Sequence, residues 1–166
     1  MATIAIVAVD KNRAIGRGGT IPWHYSPDMR FFKQQTLGHA CVMGFHTWGS
    51  LKKPLKDRLN LVLSRSHDVE QGNGVIVLRD KESVLSIRDY LKCDLYIIGG
   101  EQVYRAFAEE IDRWVVTEVP TEAEGADTFM PEGFLNGYWR TSEVELEGGL
   151  KVGFHDRVQK EKGGSE

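Results

Sequence analysis

The chain has 166 residues, 41% of them hydrophobic, a formal net charge of -3 and a pI near 6.0. That length suits one domain spanning residues 1–166 with a substantial core. The weakly acidic balance, with no polybasic run, argues against nucleic-acid or anionic-membrane partners.

The amino terminus enters an apolar, β-branched run at Thr3–Val9 without a basic leader, and no segment reaches membrane-spanning length. The first element is therefore read as a strand and the expected location is the cytosol. Residues 10–23, with Gly16, Gly18, Gly19 and Pro22, form a loop long enough for a lid or a binding loop. Ser26 and Pro27 read as the N-cap and first position of a helix running to about Thr36. Helical spacing puts Asp28, Phe31, Phe32 and Gln35 on one face, so a carboxylate projects beside two aromatic rings. An acid in a first turn ordinarily complements the helix dipole in solvent. Here the aromatic company points instead to a buried acid serving a ligand. Trp23 could bring its indole N–H to that carboxylate, although packing is the commoner use of the residue.

Further strands are expected at residues 40–43, Leu59–Leu63, Val75–Leu78, residues 95–98 and residues 114–119. Helical patterns fall at 46–51, 81–91 and 101–108. This alternation implies parallel pairing through crossovers, with ligands outside the carboxyl ends of the strands. Residues 138–147 and 150–160 read as two strands joined through Gly148-Gly149, an antiparallel hairpin. Glu143, Glu145 and Glu147 alternate with Val144 and Leu146 as the wet face of a half-buried strand, and residues 160–166 read as a frayed tail. Cys41 and Cys93 lack a disulfide framework or ligand spacing and read as core fillers. The five histidines show no paired metal spacing, so no metal is expected, and no nucleophilic triad has a local signature.

Two strand-to-helix junctions have the grammar of phosphate sites: Val42-Met43-Gly44-Phe45-His46-Thr47-Trp48 and Tyr96-Ile97-Ile98-Gly99-Gly100-Glu101-Gln102-Val103-Tyr104. Glycine lets backbone approach a ligand, and free amides at a helix start attract phosphate. Neither junction is specific alone. A third strand end, Leu63-Ser64-Arg65-Ser66, offers hydroxyls and a guanidinium suited to a sugar 2′-phosphate, or forms an ordinary polar loop.

In one order stand Ala8-Val9-Asp10, Ile15-Gly16, Ile21-Pro22-Trp23, Asp28-x-x-Phe31-Phe32-Lys33, Thr36, Met43-Gly44-x-His46-Thr47-Trp48, Leu63-Ser64-Arg65, Ile98-Gly99-Gly100-x-x-x-Tyr104 and Glu124-Gly125-Ala126-Asp127-Thr128. This series resembles the dihydrofolate reductases over nearly the whole chain. The resemblance implies a three-layer α/β fold: an eight-stranded, mostly parallel mixed sheet with about four flanking helices and a C-terminal antiparallel hairpin. It also implies a monomer, with NADPH and dihydrofolate meeting in a central cleft that antifolate-type molecules would share.

By the same resemblance, Asp28, Trp23 and Thr117 would serve the chemistry: Asp28 on the pterin's amidine edge, Thr117 supporting it, Trp23 holding a water. Ile6, Val7, Ala8, Met29 and Phe32 would line the substrate pocket with Ser50, Leu51 and Leu55, then Ile98 and Tyr104. Arg58 would pair with the substrate's α-carboxylate, a contact that suits a planar guanidinium. The cofactor would meet Ala8, Ile15 and Gly16, then Gly44, Phe45, His46 and Thr47. Leu63, Ser64 and Arg65 would take its adenosine end; Ile98, Gly99, Gly100, Gln102, Val103 and Tyr104 would flank the rest, around a cis Gly99–Gly100 peptide.

The chain also departs from the bacterial pattern. Phe45 stands where many relatives carry a basic residue near the 2′-phosphate, Gln102 replaces another frequent cation, and Arg65 is expected to compensate. Ile21 and Gly18-Gly19 alter the active-site loop. A flavin-pathway reductase of the same general fold would need neither Asp28 beside two phenylalanines nor Arg58. A silent nucleotide-binding module would need only the phosphate junctions.

Overall fold

The computed structural model describes residues 1–159. In chain order the elements are β1 (Thr3–Val9), β2 (Ala14–Gly16), α1 (Ser26–Thr36), β3 (Ala40–Gly44), α2 (Phe45–Ser50), β4 (Leu59–Leu63), β5 (Val75–Leu78), α3 (Lys81–Arg88), β6 (Leu95–Ile97), α4 (Glu101–Ala106), β7 (Arg113–Glu118), β8 (Thr128–Phe129), β9 (Tyr138–Leu146) and β10 (Leu150–Arg157). Eight strands form one sheet in the order β5-β4-β3-β6-β1-β7-β10-β9. The six from β5 to β7 are parallel, with Ile4 opposite Tyr96 and Ala8 opposite Thr117 across the two edges of β1. β10 turns antiparallel to β7, and β9 to β10. The expected architecture is the one observed.

Alternation along the strands sends side chains to opposite faces, and two cores result. One packs Val84 of α3, Val103 and Tyr104 of α4 and Phe107 just after it against Ala5, Val7, Val42, Leu61 and Ile97. The other packs Phe31 of α1 against Ile4, Ile6, Met43, Val62 and Val115, with Trp48 of α2 at its margin. Cys41 is wholly buried in this second layer, where burial pushes its thiol up to about 12; Cys93 is half-buried against the first. Successive crossovers lie on either side of β1: β1 leads through α1 to β3, and β6 leads through α4 to β7. The carboxyl ends of β1 and its neighbours thus flank the point where strand order reverses, where such sheets bind ligands.

Three local readings are corrected. Ser26 does not cap α1: Tyr25 occupies the N-cap with extended backbone (φ -128°, ψ 107°), no side-chain cap bond forms, and its carbonyl accepts the Met29 amide at 3.1 Å. Ser26 and Pro27 both lie inside the first turn, where proline's missing N–H removes no helical bond. Second, residues 10–23 are not wholly irregular, since β2 pairs with β8 in a small second sheet that no alternating pattern announces. Third, the half-buried pattern of β9 is blunted, because it is the outer edge of the sheet: Glu143, Glu145 and Glu147 are exposed as expected, but Val144 is 39% exposed as well. The tail at 160–166 lies outside the described residues. Among those described, no helix is long and apolar enough to cross a membrane, and no group of three or more His, Cys, Asp or Glu side chains is placed to hold a metal.

Candidate active site

Asp28 sits in the first turn of α1, half-buried, with its side chain turned toward the sheet. Thr117, near the carboxyl end of β7 and 2% exposed, donates its hydroxyl to Asp28 Oδ1 at 2.7 Å. Among the described residues this is the carboxylate's only hydrogen bond, and the Trp23 indole makes none to it. Burial raises the acid above the usual carboxylate range and the Thr117 bond offsets part of that rise. The group is therefore desolvated yet retains most of its acceptor capacity.

Around it, Phe31 is buried edge-on to Phe154 with ring centroids 6.2 Å apart, while Phe32 stays half-buried. The Arg58 guanidinium lies 6.0 Å from the Phe32 ring centroid, donating to Thr36 Oγ1 at 3.2 Å and to the Lys56 carbonyl at 3.0 Å. Leu51, Leu55 and Ile98 pack partly buried against the same core as Ile6. Val7 points into the opposite layer, so only its backbone can reach this face. Met29 is 56% exposed, and the exposed Ser50 donates to the Thr47 carbonyl at 2.6 Å. Tyr104 is buried on the α4 side with its hydroxyl on the Ile6 carbonyl at 2.7 Å, which leaves that oxygen occupied.

The two glycine junctions meet one another. Gly44 N–H donates to the Gly99 carbonyl at 2.9 Å, and the Gly99–Gly100 peptide is cis. A Cβ at Gly44 would lie 3.2 Å from Val103 Cγ2, and one at Gly100 would lie 3.7 Å from Thr47 Oγ1. Neither α2 nor α4 has a side-chain cap at its start. Uncapped amides on two adjoining turns, with no Cβ at Gly44 where one would crowd Val103, can meet the pyrophosphate of a dinucleotide. Beside them Ser64 is buried, Leu63 half-buried, and Arg65, His46 and Gln102 exposed. The Phe45 ring lies flat against His67, 4.0 Å between centroids.

The loop after β1 is tied down by a set of backbone and carboxylate bonds. Asp10 accepts the amides of Asn12, Ala14 and Ala123, each at 2.8 Å. Gly18 and Gly19, both at positive φ, turn the chain between Arg17 and Thr20, which exchange backbone bonds of 2.8 and 3.1 Å. Gly18 N–H donates to Asp127 Oδ2 at 2.8 Å and Arg17 Nη1 to the Glu124 carbonyl at 3.0 Å. Ile15 and Gly16 are half-buried beneath this turn, whereas Ile21 is 64% exposed.

A doubly wound α/β sheet with a half-buried, under-satisfied acid and paired glycine turns at its carboxyl rim is the framework of an α/β enzyme that binds its ligands at that rim. A family model described as dihydrofolate reductase matches residues 2–152. The dihydrofolate reductase of Haemophilus influenzae is 35% identical over 143 residues, covering 86% of this chain and 84% of the relative. That of Mycobacterium leprae is 42% identical over 128 residues, 75% and 76% of the two chains. Dihydrofolate reductase from Enterococcus faecalis, complexed with NADP(H) and RAB-propyl, superposes with a TM-score of 0.86 at 28% identity, covering 95% of this chain and 97% of that one. The chain belongs to the dihydrofolate reductase family, whose reaction is the NADPH-dependent reduction of 7,8-dihydrofolate to 5,6,7,8-tetrahydrofolate, with hydride arriving at pterin C6 and a proton at N5.

Sequence reasoning missed the Asp10 staple and the Phe45–His67 stack. Asp10 had a usable signal, an aspartate directly after a strand with Asn12 two residues on, the spacing of an Asx turn. The stack had none, because the two rings come from different crossovers 22 positions apart.

Proposed function

We propose that in this chain Asp28 is the group that orients and polarises the pterin, with Thr117 as its positioning partner and Trp23 holding a water near the pterin. The observation that carries this reading is the 2.7 Å bond from Thr117 to a desolvated carboxylate with acceptor sites to spare. A pterin's amidine edge offers paired N–H donors, which favour the anion that burial disfavours, so ligand binding and Asp28 ionisation are coupled. Phe31 and Phe32 exclude water around it, and the ring is thereby held in one orientation. The bound nicotinamide supplies the hydride; the protein supplies alignment and a dry site. The N5 proton reaches the pterin through water rather than directly from Asp28.

Arg58, held over Phe32, takes the substrate's α-carboxylate, with Leu51 and Leu55 against its aminobenzoyl portion. Gly44, His46 and Thr47 with Gly99, Gly100 and Gln102 hold the pyrophosphate, and Ser64 and Arg65 hold the 2′-phosphate. This reading takes the chain as one domain acting as a cytosolic monomer, and antifolates carrying an amidine-like edge as competitors for Asp28. Mixing the protein with NADPH and dihydrofolate and following loss of the reduced-nicotinamide absorbance tests the reaction. Repeating the assay with Asp28→Asn tests the assignment: turnover near that of the unaltered protein at neutral and alkaline pH would refute the role of the acid.

A further inference from the structure

At the α2 junction that the reading above assigns to the cofactor's phosphates, the helix reads Phe-His-Thr-Trp-Gly-Ser and contains no Lys or Arg. The His67 imidazole, from the loop after β4, stacks on Phe45 at 4.0 Å with planes 10° from parallel, and His46 meets the Phe45 ring at 6.0 Å and 66°. The loop that carries His67 is anchored. His67 N–H donates to Ser64 Oγ at 3.0 Å, and Arg79 Nη1 donates to the carbonyls of both His67, at 2.6 Å, and Ser64, at 3.1 Å. Nδ1 of the imidazole stands 3.5 Å from Ser64 Oγ, which leaves Nε2 on the opposite edge without a partner among the described residues. The titratable and charged residues nearest the ring are Arg65 and Asp68 in its own loop, His46 on α2 across the Phe45 ring, and Arg79 just after β5. Asp68 is ion-paired with Arg79, so its charge is locally compensated.

We propose that His67 is a specificity-determining residue for the cofactor's 2′-phosphate: clamped flat on Phe45, its free ring nitrogen shares with Arg65 the discrimination of NADPH from NADH. The inference rests on the reading above that the α2 junction and the β4 strand end hold the cofactor's phosphates. A phosphate takes a hydrogen bond from an imidazole and a stronger one from an imidazolium. An imidazole can gain a proton on mild acidification, whereas a guanidinium such as that of Arg65 carries a fixed charge. Preference for the phosphorylated cofactor should therefore sharpen as the solution is made mildly acidic, a dependence that a fixed cation cannot produce.

The experiment is direct titration of the protein with NADP+ and separately with NAD+, by calorimetry, at pH 8.0 and pH 6.5, for the unaltered protein, His67→Phe and Arg65→Ala. Phenylalanine keeps the stack and removes the nitrogen, and the position is exposed, so folding is not at issue. The expected result is that His67→Phe weakens NADP+ about tenfold at the lower pH, the loss of one charge-assisted hydrogen bond, and leaves NAD+ within about twofold. On acidification the NADP+ to NAD+ affinity ratio of the unaltered protein should rise relative to that of His67→Phe measured at the same two pH values. The phosphate's own second ionisation, with pKa near 6, affects all three proteins alike and cancels in the comparison. An affinity ratio and pH response unchanged in His67→Phe, with preference lost in Arg65→Ala, would overturn the role of His67 and leave the phosphate site standing. An unaltered protein that binds NADP+ no better than NAD+ would overturn both.

Discussion

Two aspartates at the carboxyl rim of the sheet show how differently one side chain can be used. Asp10 follows β1 directly and accepts three backbone amides; burial raises it, but the amides of Ala123, Ala14 and Asn12 together outweigh burial and hold it below the usual carboxylate range. Asp28 accepts one hydroxyl, and burial wins. A carboxylate satisfied by rigid donors is a staple, locking the loop after β1 onto the segment around Ala123. A carboxylate that is desolvated but under-satisfied keeps its acceptor sites for something not part of the protein, and costs stability while it waits.

The largest expected effect breaks that symmetry at Asp28. Asp28→Asn should lower kcat/KM for dihydrofolate by about 10²-fold or more, the scale of a group that acts on a reacting ring. Its melting temperature at pH 7.5 should be unchanged or higher. The sign follows from linkage: a carboxylate raised in the fold keeps its proton to higher pH than in the unfolded chain, so stability declines as pH rises through that interval and a neutral asparagine escapes the decline. A clear loss of melting temperature in Asp28→Asn would mean that the acid is structural after all.

Asp10→Asn should do the reverse. An asparagine whose oxygen faces Asn12 and Ala14 presents its own N–H groups to the Ala123 amide, leaving a donor unpaired at a cost of about 2 kcal/mol. For a chain of this size that is a fall in melting temperature of roughly 4–8 °C, readable by calorimetry. Because Asp10 is depressed in the fold, its contribution is fully present at neutral pH and lost only on acidification below the ordinary carboxylate range. A pH profile of activity with the same shape as that of the unaltered protein would place Asp10 outside the chemistry.

Thr117→Val sharpens the comparison at intermediate size. Valine keeps the volume and removes the hydroxyl donor, so kcat/KM should fall about tenfold, the scale of one hydrogen bond to a charged group. Since that bond is what partly offsets the effect of burial on Asp28, any limb of the pH profile set by Asp28 should move to higher pH in Thr117→Val and vanish in Asp28→Asn. A limb that stays in place in the valine variant would show that another group titrates there.

The elements that could be read in the chain are those whose pattern is local. Runs such as Leu59–Leu63 and Val75–Leu78 emerged with their bounds because β-branched residues mark a strand irrespective of its neighbours. Asp28 was legible because helical spacing tied it to Phe31 and Phe32, and the glycine junctions because strand, glycine and helix follow one another in sequence. Long-range closure was not legible. β2 and β8 are three and two residues long and pair across more than a hundred positions, so neither carries a period of its own. The pairing of Thr117 with Asp28 entered only through family resemblance, since no local rule links residues 89 positions apart.

The smallest effect concerns a third buried titratable group, far in sequence from both acids. His155 on β10 is 6% exposed and its Nε2 has no hydrogen-bond partner among the described residues. Gly153 makes room for the ring, since a Cβ there would lie 2.7 Å from that nitrogen. Burial lowers its pKa and Arg140 lowers it further, against the opposing pull of Glu118 and Asp156. The unfolded chain takes up this proton near pH 6.5 while the folded one resists it, so the histidine's contribution is intact above that pH and is lost as the solution is acidified below it. His155→Phe should therefore remove part of the fall in melting temperature between pH 7.0 and 5.5, about 1–3 °C of it. Asp28, raised by burial, tilts stability the other way, which is why the reading must be the difference between variant and unaltered protein and not the raw slope. An identical slope in both would mean that the fold tolerates a charged ring at this position, and that the nitrogen is hydrated rather than dry.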